Sequence, residues 1–208
     1  MNNYLLTLNR EYKCIDIVFD KNINTTRLKV IEDEHAFMLI DGYFTNAKEF
    51  IKNNSSVKNI EIEQLLFKLS KINFYHYGQL DGSFNIFFFE KKKNYFVYTN
   101  DFWSSRPTYI HKTKNNYLFS NDLYFFKKHI KSELTPNLKK IKEFLAWQHV
   151  ESKSTYYNEI DKLAPGIVLK ITSNQIEETS LNIIDSHRKF AKYDLENFRK
   201  TFESAVSK

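Results

Sequence analysis

The run Phe87-Phe88-Phe89 most constrains the fold, because three consecutive large apolar residues cannot all face one side of a strand. Successive side chains of a strand point to opposite faces, so Phe84–Phe89 must be an interior strand with a layer packed on each side. Two hairpins follow from its surroundings. Phe84–Phe89 and Tyr95–Tyr98 flank the polar turn Glu90-Lys91-Lys92-Lys93-Asn94. Thr108–His111 and Tyr117–Ser120 flank Lys112-Thr113-Lys114-Asn115-Asn116. Apolar strands around short polar turns predict an antiparallel meander. Tyr4–Leu8, Ile15–Phe19 and Ala36–Ile40 read as further strands, the last running into a turn at Asp41-Gly42. With 19 Phe and 13 Tyr against 4 Gly and 3 Pro, the chain has the composition of a strand-rich globular domain.

Helical periods separate and follow these strands. Asn46–Asn53 predicts a short helix, and Ile62, Leu65, Leu66, Leu69 and Ile72 fall on one face of another. Thr135-Pro136 reads as a helix opening, a capping hydroxyl followed by proline at the first helical position. The helix after it is expected to turn Leu138, Ile141, Leu145 and His149 or Val150 inward. Pro165-Gly166 predicts a turn feeding a strand over Ile167–Ile171. Leu195, Phe198, Phe202 and Val206 mark an amphipathic helix at the end of the sequence.

Composition also removes several functions. No apolar run approaches the roughly 18 residues of a spanning helix, and the opening residues form no leader, so the expectation is a cytoplasmic protein without a membrane role. The single cysteine, Cys14, excludes an internal disulfide and a cysteine metal cluster. The histidines at 35, 76, 111, 129, 149 and 187 show no metal spacing. The net charge of +6 comes from lysines scattered among nearly as many acids. The densest run, Lys91-Lys92-Lys93, falls in a turn, so no nucleic-acid partner is expected.

Four stretches, in order, resemble the class II glutamine amidotransferase domain of asparagine synthetases. Leu39-Ile40-Asp41-Gly42-Tyr43-Phe44-Thr45-Asn46-Ala47-Lys48-Glu49-Phe50 is similar to that family's Asn-Gly-Glu-Ile-Tyr-Asn segment. Leu80-Asp81-Gly82-Ser83-Phe84 resembles its Leu-Asp-Gly-Met-Phe. Asn100-Asp101-Phe102-Trp103-Ser104-Ser105-Arg106-Pro107-Thr108-Tyr109 resembles Arg-Asp-Arg-(x)-Gly-(x)-Arg-Pro-Leu-Tyr, and Phe119-Ser120-Asn121-Asp122 follows where the family has Phe-Ala-Ser-Glu. Thr155–Leu169, with Pro165-Gly166, is similar to a linker carrying Leu-Pro-Pro-Gly. The resemblance implies an α+β fold: a four-layer αββα sandwich of two antiparallel sheets, the amino-terminal-nucleophile hydrolase architecture. It also implies a domain over residues 1–190 and, over 191–208, the start of a helix leading to an ATP-pyrophosphatase (synthetase) domain. ATP and Mg2+ would belong to that downstream or separate domain, with no cofactor in this chain.

What the resemblance implies about chemistry is loss. A class II glutaminase uses a cysteine at residue one of the mature chain, whose free α-amino group (pKa about 7.7–8.0) takes the thiol proton. Here Met1 is followed by Asn2, and Cys14 has a peptide nitrogen that cannot act as a base. The family's oxyanion hole pairs an Asn side chain with the next Gly N–H; this chain has Asp41-Gly42, and a carboxylate repels the charge an amide would bind. Glu61 aligns with the family's glutamine-binding Asp, and the bland alternative is a helix-start acid. Arg27 is expected to be an ordinary surface residue. Asp81, Gly82, Asp101, Arg106, Pro107, Pro165 and Gly166 fall at the family's structural turns. No catalytic residue and no metal ligand is expected. Three readings stay open: the non-catalytic half of an amide-forming protein, a stand-alone interaction module, and a working enzyme using Cys14 or an unseen processing event. For the first reading, the last helix is expected to be covered by a downstream or separate ligase-type domain, or by self-association.

Overall fold

The central strand of the fold is β5 (Gly82–Glu90), whose residues Ile86, Phe87 and Phe88 are fully buried. The computed structural model describes residues 3–9, 14–20, 27–57, 59–130, 133–150, 153–172, 175–181 and 195–207. In them β5 lies inside a six-stranded sheet with β3 (Leu28–Glu32), β4 (Ala36–Phe44), β6 (Tyr95–Asn100), β10 (Ile167–Ile171) and β11 (Ile176–Ser180). The order is β11-β10-β6-β5-β4-β3. A five-stranded sheet holds β1 (Tyr4–Asn9), β2 (Cys14–Phe19), β7 (Tyr109–Lys112), β8 (Asn116–Ser120) and β9 (Ile160–Lys162). Its order is β2-β1-β8-β7-β9, and every ladder in both sheets is antiparallel.

The period of two sorts the aromatic residues into layers. Phe87 and Phe89 of β5 join Tyr4, Leu6, Leu8, Leu39, Phe96 and Phe119 in a core between the sheets. Phe119 sets its ring edge-on to Phe87 at 5.8 Å and stacks on Phe96 at 5.1 Å. The alternate residues Phe84, Ile86 and Phe88 face outward onto α1 (Ala47–Asn54) and α2 (Ile62–Ser70), which contribute Phe50, Leu65, Leu66 and Phe67. On the far side, α3 (Leu123–His129) packs Phe125 and Phe126 against Leu5 and Ile160. The architecture is therefore α+β in four layers, helix–sheet–sheet–helix. Each fully buried Phe contributes about 1.5–3 kcal/mol, so the central strand holds both interfaces at once.

Several elements differ from the sequence expectation. The two hairpins do not form one meander: β5–β6 belongs to the six-stranded sheet and β7–β8 to the other, because the 101–108 connection crosses between layers. Asp41-Gly42 is not a turn but the middle of β4, paired with Asn85 and Phe84. Ile72 lies beyond the end of α2 and is 76 % exposed. The cap of α4 (Leu138–Trp147) is Asn137, whose side chain accepts from the Lys140 N–H, while Pro136 bridges to Tyr157. That helix buries none of its residues, and Leu138, Leu145 and Trp147 are exposed. β3, β9, β11 and α3 go beyond the sequence expectation; α3 opens on Asp122, which accepts from the Phe125 N–H at 2.6 Å. The final helix, α5 (Leu195–Val206), forms with Phe198, Phe202 and Val206 exposed. The domain boundary expected after residue 190 and the histidine at 187 lie outside the described residues. No described helix is long and apolar enough to cross a membrane, and no metal-binding cluster occurs among the described residues.

Candidate functional site

Two glycines fix the geometry where β4 meets β5. Gly42 pairs with Phe84 and Gly82 pairs with Phe44. A Cβ on Gly42 would fall 2.0 Å from the Ser83 carbonyl oxygen, and one on Gly82 would fall 2.3 Å from that of Tyr43. Their φ values of +142° and +150° are also ones that side chains resist. The strands thus approach closely just where the inner face changes from apolar to polar.

Continuing inward from Leu39, the next residue on that face is Asp41, which is 2 % exposed. Its Oδ1 accepts from Arg106 Nη1 at 2.8 Å, a buried ion pair. Asn85, opposite Asp41 in register, donates from Nδ2 to the Arg106 carbonyl at 3.2 Å, and its Oδ1 accepts from the Tyr98 hydroxyl at 2.9 Å. The other sheet supplies Tyr4 and Asn121, with the Tyr4 N–H donating to Asn121 Oδ1 at 3.3 Å. Thr108, fully buried, leads into β7.

Burial dominates the electrostatics of this cluster. It pushes the Asp41 carboxyl above its ordinary value, with Arg106, Asn85 and Asn121 opposing. It pushes the Tyr4 phenol well up, helped by the Asp41 charge and Tyr98, with Thr108 and Arg106 opposing. Tyr98 is raised for the same first reason. Asp41 Oδ2, Arg106 Nε, Tyr4 Oη and Thr108 Oγ1 are buried without a partner at hydrogen-bonding geometry among the described residues. Asp41 and Arg106 thus face each other instead of facing solvent, and the pair holds the β6–β7 connection to β4.

The remaining candidates act on the backbone. Asp101 closes its turn by accepting from Trp103 N–H, Ser105 N–H and the Ser105 hydroxyl at 3.0, 3.2 and 2.8 Å. Pro107 follows Arg106 directly. The Pro165-Gly166 turn docks on the same loop: the Gly166 N–H donates to the Asp101 carbonyl at 3.1 Å, and φ at Gly166 is +58°. Asp81 is exposed, and its N–H donates to Asn46 Oδ1 at 2.9 Å. Arg27 is exposed, its guanidinium 5.7 Å from the Tyr43 ring centre. Glu61 is not brought to Asp41. It sits exposed at the start of α2, on the opposite face of the six-stranded sheet, where its carbonyl accepts from the Leu65 N–H.

Residues 34–182, more than half of the sequence, match the family profile described as a glutamine amidotransferase domain. The chain belongs to that family. Among solved structures it is similar to glutamine phosphoribosylpyrophosphate (PRPP) amidotransferase from B. subtilis complexed with ADP and GMP, at 11 % identity and TM-score 0.49. It is also similar to the structure of the allosteric regulatory enzyme of purine biosynthesis, at 9 % identity and TM-score 0.44. Each match covers 88 % of this chain and 43 % of the other, so the chain spans less than half the length of these proteins. No curated protein sequence matches.

Within this amidotransferase domain the one cysteine lies at the end of the sandwich away from the Asp41–Arg106 pair. Cys14 opens β2 opposite Asn9, whereas Tyr4 and the Asp41–Arg106 pair sit at the other end of β1. Five residue steps along the strand lead from Tyr4 to Asn9, about 17 Å at 3.4 Å per residue. The residues that sequence reasoning did not bring together are Tyr4, Asn85, Tyr98, Thr108 and Asn121. The period of two carries the missing signal, since Leu39 and Phe87 face inward and Asp41 and Asn85 must follow them.

Proposed function

We propose that this amidotransferase domain no longer hydrolyses glutamine and serves as the structural half of an asparagine-synthetase-like, ATP-dependent amide-forming protein. ATP and Mg2+ would then be held by a synthetase domain outside these residues. The observation that carries the loss of hydrolysis is the buried Asp41–Arg106 pair at the position aligned with the family's oxyanion-binding Asn. An ionised carboxylate offers no donor, and losing one such donor costs roughly 2.7–4 kcal/mol of transition-state stabilisation. Arg106 pairs with Oδ1 of that carboxylate, and Cys14 lies in β2 opposite the far end of β1. Support for a covering partner comes from α5, where Phe198, Phe202 and Val206 are 59 %, 59 % and 71 % exposed. A helix of about three turns owes its stability in water mainly to packing of its apolar face.

Titration calorimetry at millimolar glutamine tests the proposal. The expected result is no saturable heat. Saturable heat that disappears in Asp41→Lys, but persists after a remote surface substitution, would contradict it. A second reading, a stand-alone protein-interaction module, is favoured by the exposed Leu138, Leu145 and Trp147 on α4, which neither sheet covers.

A further inference from the structure

Among the described residues, the helical layer over the six-stranded sheet is narrower than the sheet. Six strands about 4.8 Å apart span about 24 Å between edge strands, while two helices packed 8–10 Å apart cover about 20 Å. Among the described residues, α1 and α2 lie beside the β3–β5 side; Val97 and Val168 are buried with them on the outer face, and cover thins out at Tyr95, Lys170 and the exposed strand β11. There the segment from Ser70 to Tyr75, at the end of α2, walls a cleft of about 630 Å³. Its floor is Tyr95 of β6 with Val168 and Lys170 of β10, and Thr179 to Leu181 close the other side. This is the face of the sheet opposite the Asp41–Arg106 cluster, so the cleft is separate from the site described above and does not depend on the proposed function.

The volume is that of a small-molecule site, and the lining is mostly apolar with a few polar groups. Phe74 and Tyr95 approach to 5.4 Å between ring centres, forming an aromatic wall for a flat ligand. The charge of the lining is asymmetric: Lys71, Lys93 and Lys170 against one acid, Glu90. Lys93 is held by Glu90 at 3.0 Å, and Lys71 by Asp33. Lys170 is half-buried and forms no ion pair among the described residues. Glu177 stands opposite it in register but is exposed at the edge strand. A half-buried lysine beside an aromatic wall is the complement of an anionic group on a planar apolar body.

We propose that this cleft binds a small aromatic carboxylate, with its ring against Phe74 and Tyr95 and its carboxylate on Lys170. Naphthalene-2-carboxylate is the probe, with 2-naphthylmethanol as its uncharged counterpart, both followed by calorimetry and amide NMR shifts on the full chain. Saturable binding is expected, with shifts confined to residues 70–75, 93–95, 168–170 and 179–181. Lys170→Met is expected to weaken the carboxylate about fivefold and leave the alcohol unchanged. Thr179→Trp, which fills the cleft from the exposed edge strand, is expected to abolish both. Thermal unfolding of each variant checks that it is folded. Absence of saturable binding, shifts on α4, α5 or the inter-sheet cluster, or equal weakening of both probes by Lys170→Met would overturn the proposal.

Discussion

Replacing Arg106 by alanine isolates the interaction on which the inter-sheet cluster depends. The pair is buried on both sides, with side-chain exposures of 10 % for Arg106 and 3 % for Asp41. At about 4 Å between charge centres and an effective dielectric of about 20, their attraction is about 4 kcal/mol, offset by the cost of desolvating both ions. Removing only the cation leaves Asp41 buried and ionised, a situation that costs about 3–5 kcal/mol. The Asp41 carboxyl is already held above its ordinary value by burial, with Arg106 opposing. Deleting Arg106 raises it further. A raised folded-state pKa means that the protonated form stabilises the fold at low pH and that this contribution is lost as pH rises through the folded value. The penalty of Arg106→Ala relative to wild type is therefore largest at pH 7. It shrinks on acidification by about 1.4 kcal/mol per pH unit over which Asp41 is protonated in the folded variant and still ionised in the folded wild type. Urea unfolding at pH 7 and pH 4.5, with m unchanged, measures both numbers. A joint Asp41→Leu, Arg106→Met variant, which leaves no orphaned charge, is expected to lose far less than Arg106→Ala. A penalty under about 1 kcal/mol at pH 7, or an equal penalty at both pH values, would refute the reasoning.

Gly42→Ala and Gly82→Ala each drive a Cβ into a backbone carbonyl at positive φ, so each is expected to lose about 3 kcal/mol or more, read as a drop in thermal midpoint. Tyr98→Phe removes the buried donor to Asn85 and is expected to cost about 1–3 kcal/mol in urea unfolding. Hydrogen exchange across residues 195–206 is expected to be fast in the isolated chain and to slow when an ATP-pyrophosphatase-type partner domain is added. Strong protection in a monomer would favour the stand-alone module instead.

The sandwich was legible because its signals are local. The run Phe87-Phe88-Phe89 demanded cover on both faces, and the polar turns at 90–94 and 112–116 placed the hairpins. Assigning those hairpins to one sheet failed, since the 101–108 crossing leaves no mark in hydrophobic period. The exposed face of α4 also misled, because an apolar stripe reports what a helix needs covered and not whether this chain covers it. At the site, Asp41 and Gly42 were singled out by the family resemblance, yet their setting was not. The ion pair to Arg106 joins residues 65 positions apart, and no spacing rule reaches that far. Glu61 shows the opposite case: its alignment with the family's glutamine-binding Asp does not bring it to Asp41, and it stands at the start of α2 as the alternative reading of a helix-start acid has it.

Loss of glutamine hydrolysis is the central claim, and ammonia release from glutamine measures it most directly. Purified full chain incubated with millimolar glutamine is expected to release no more ammonia than a heat-killed control. Release above that control, abolished by Cys14→Ala, would show a working nucleophile at the end of the sandwich opposite Asp41 and contradict the account.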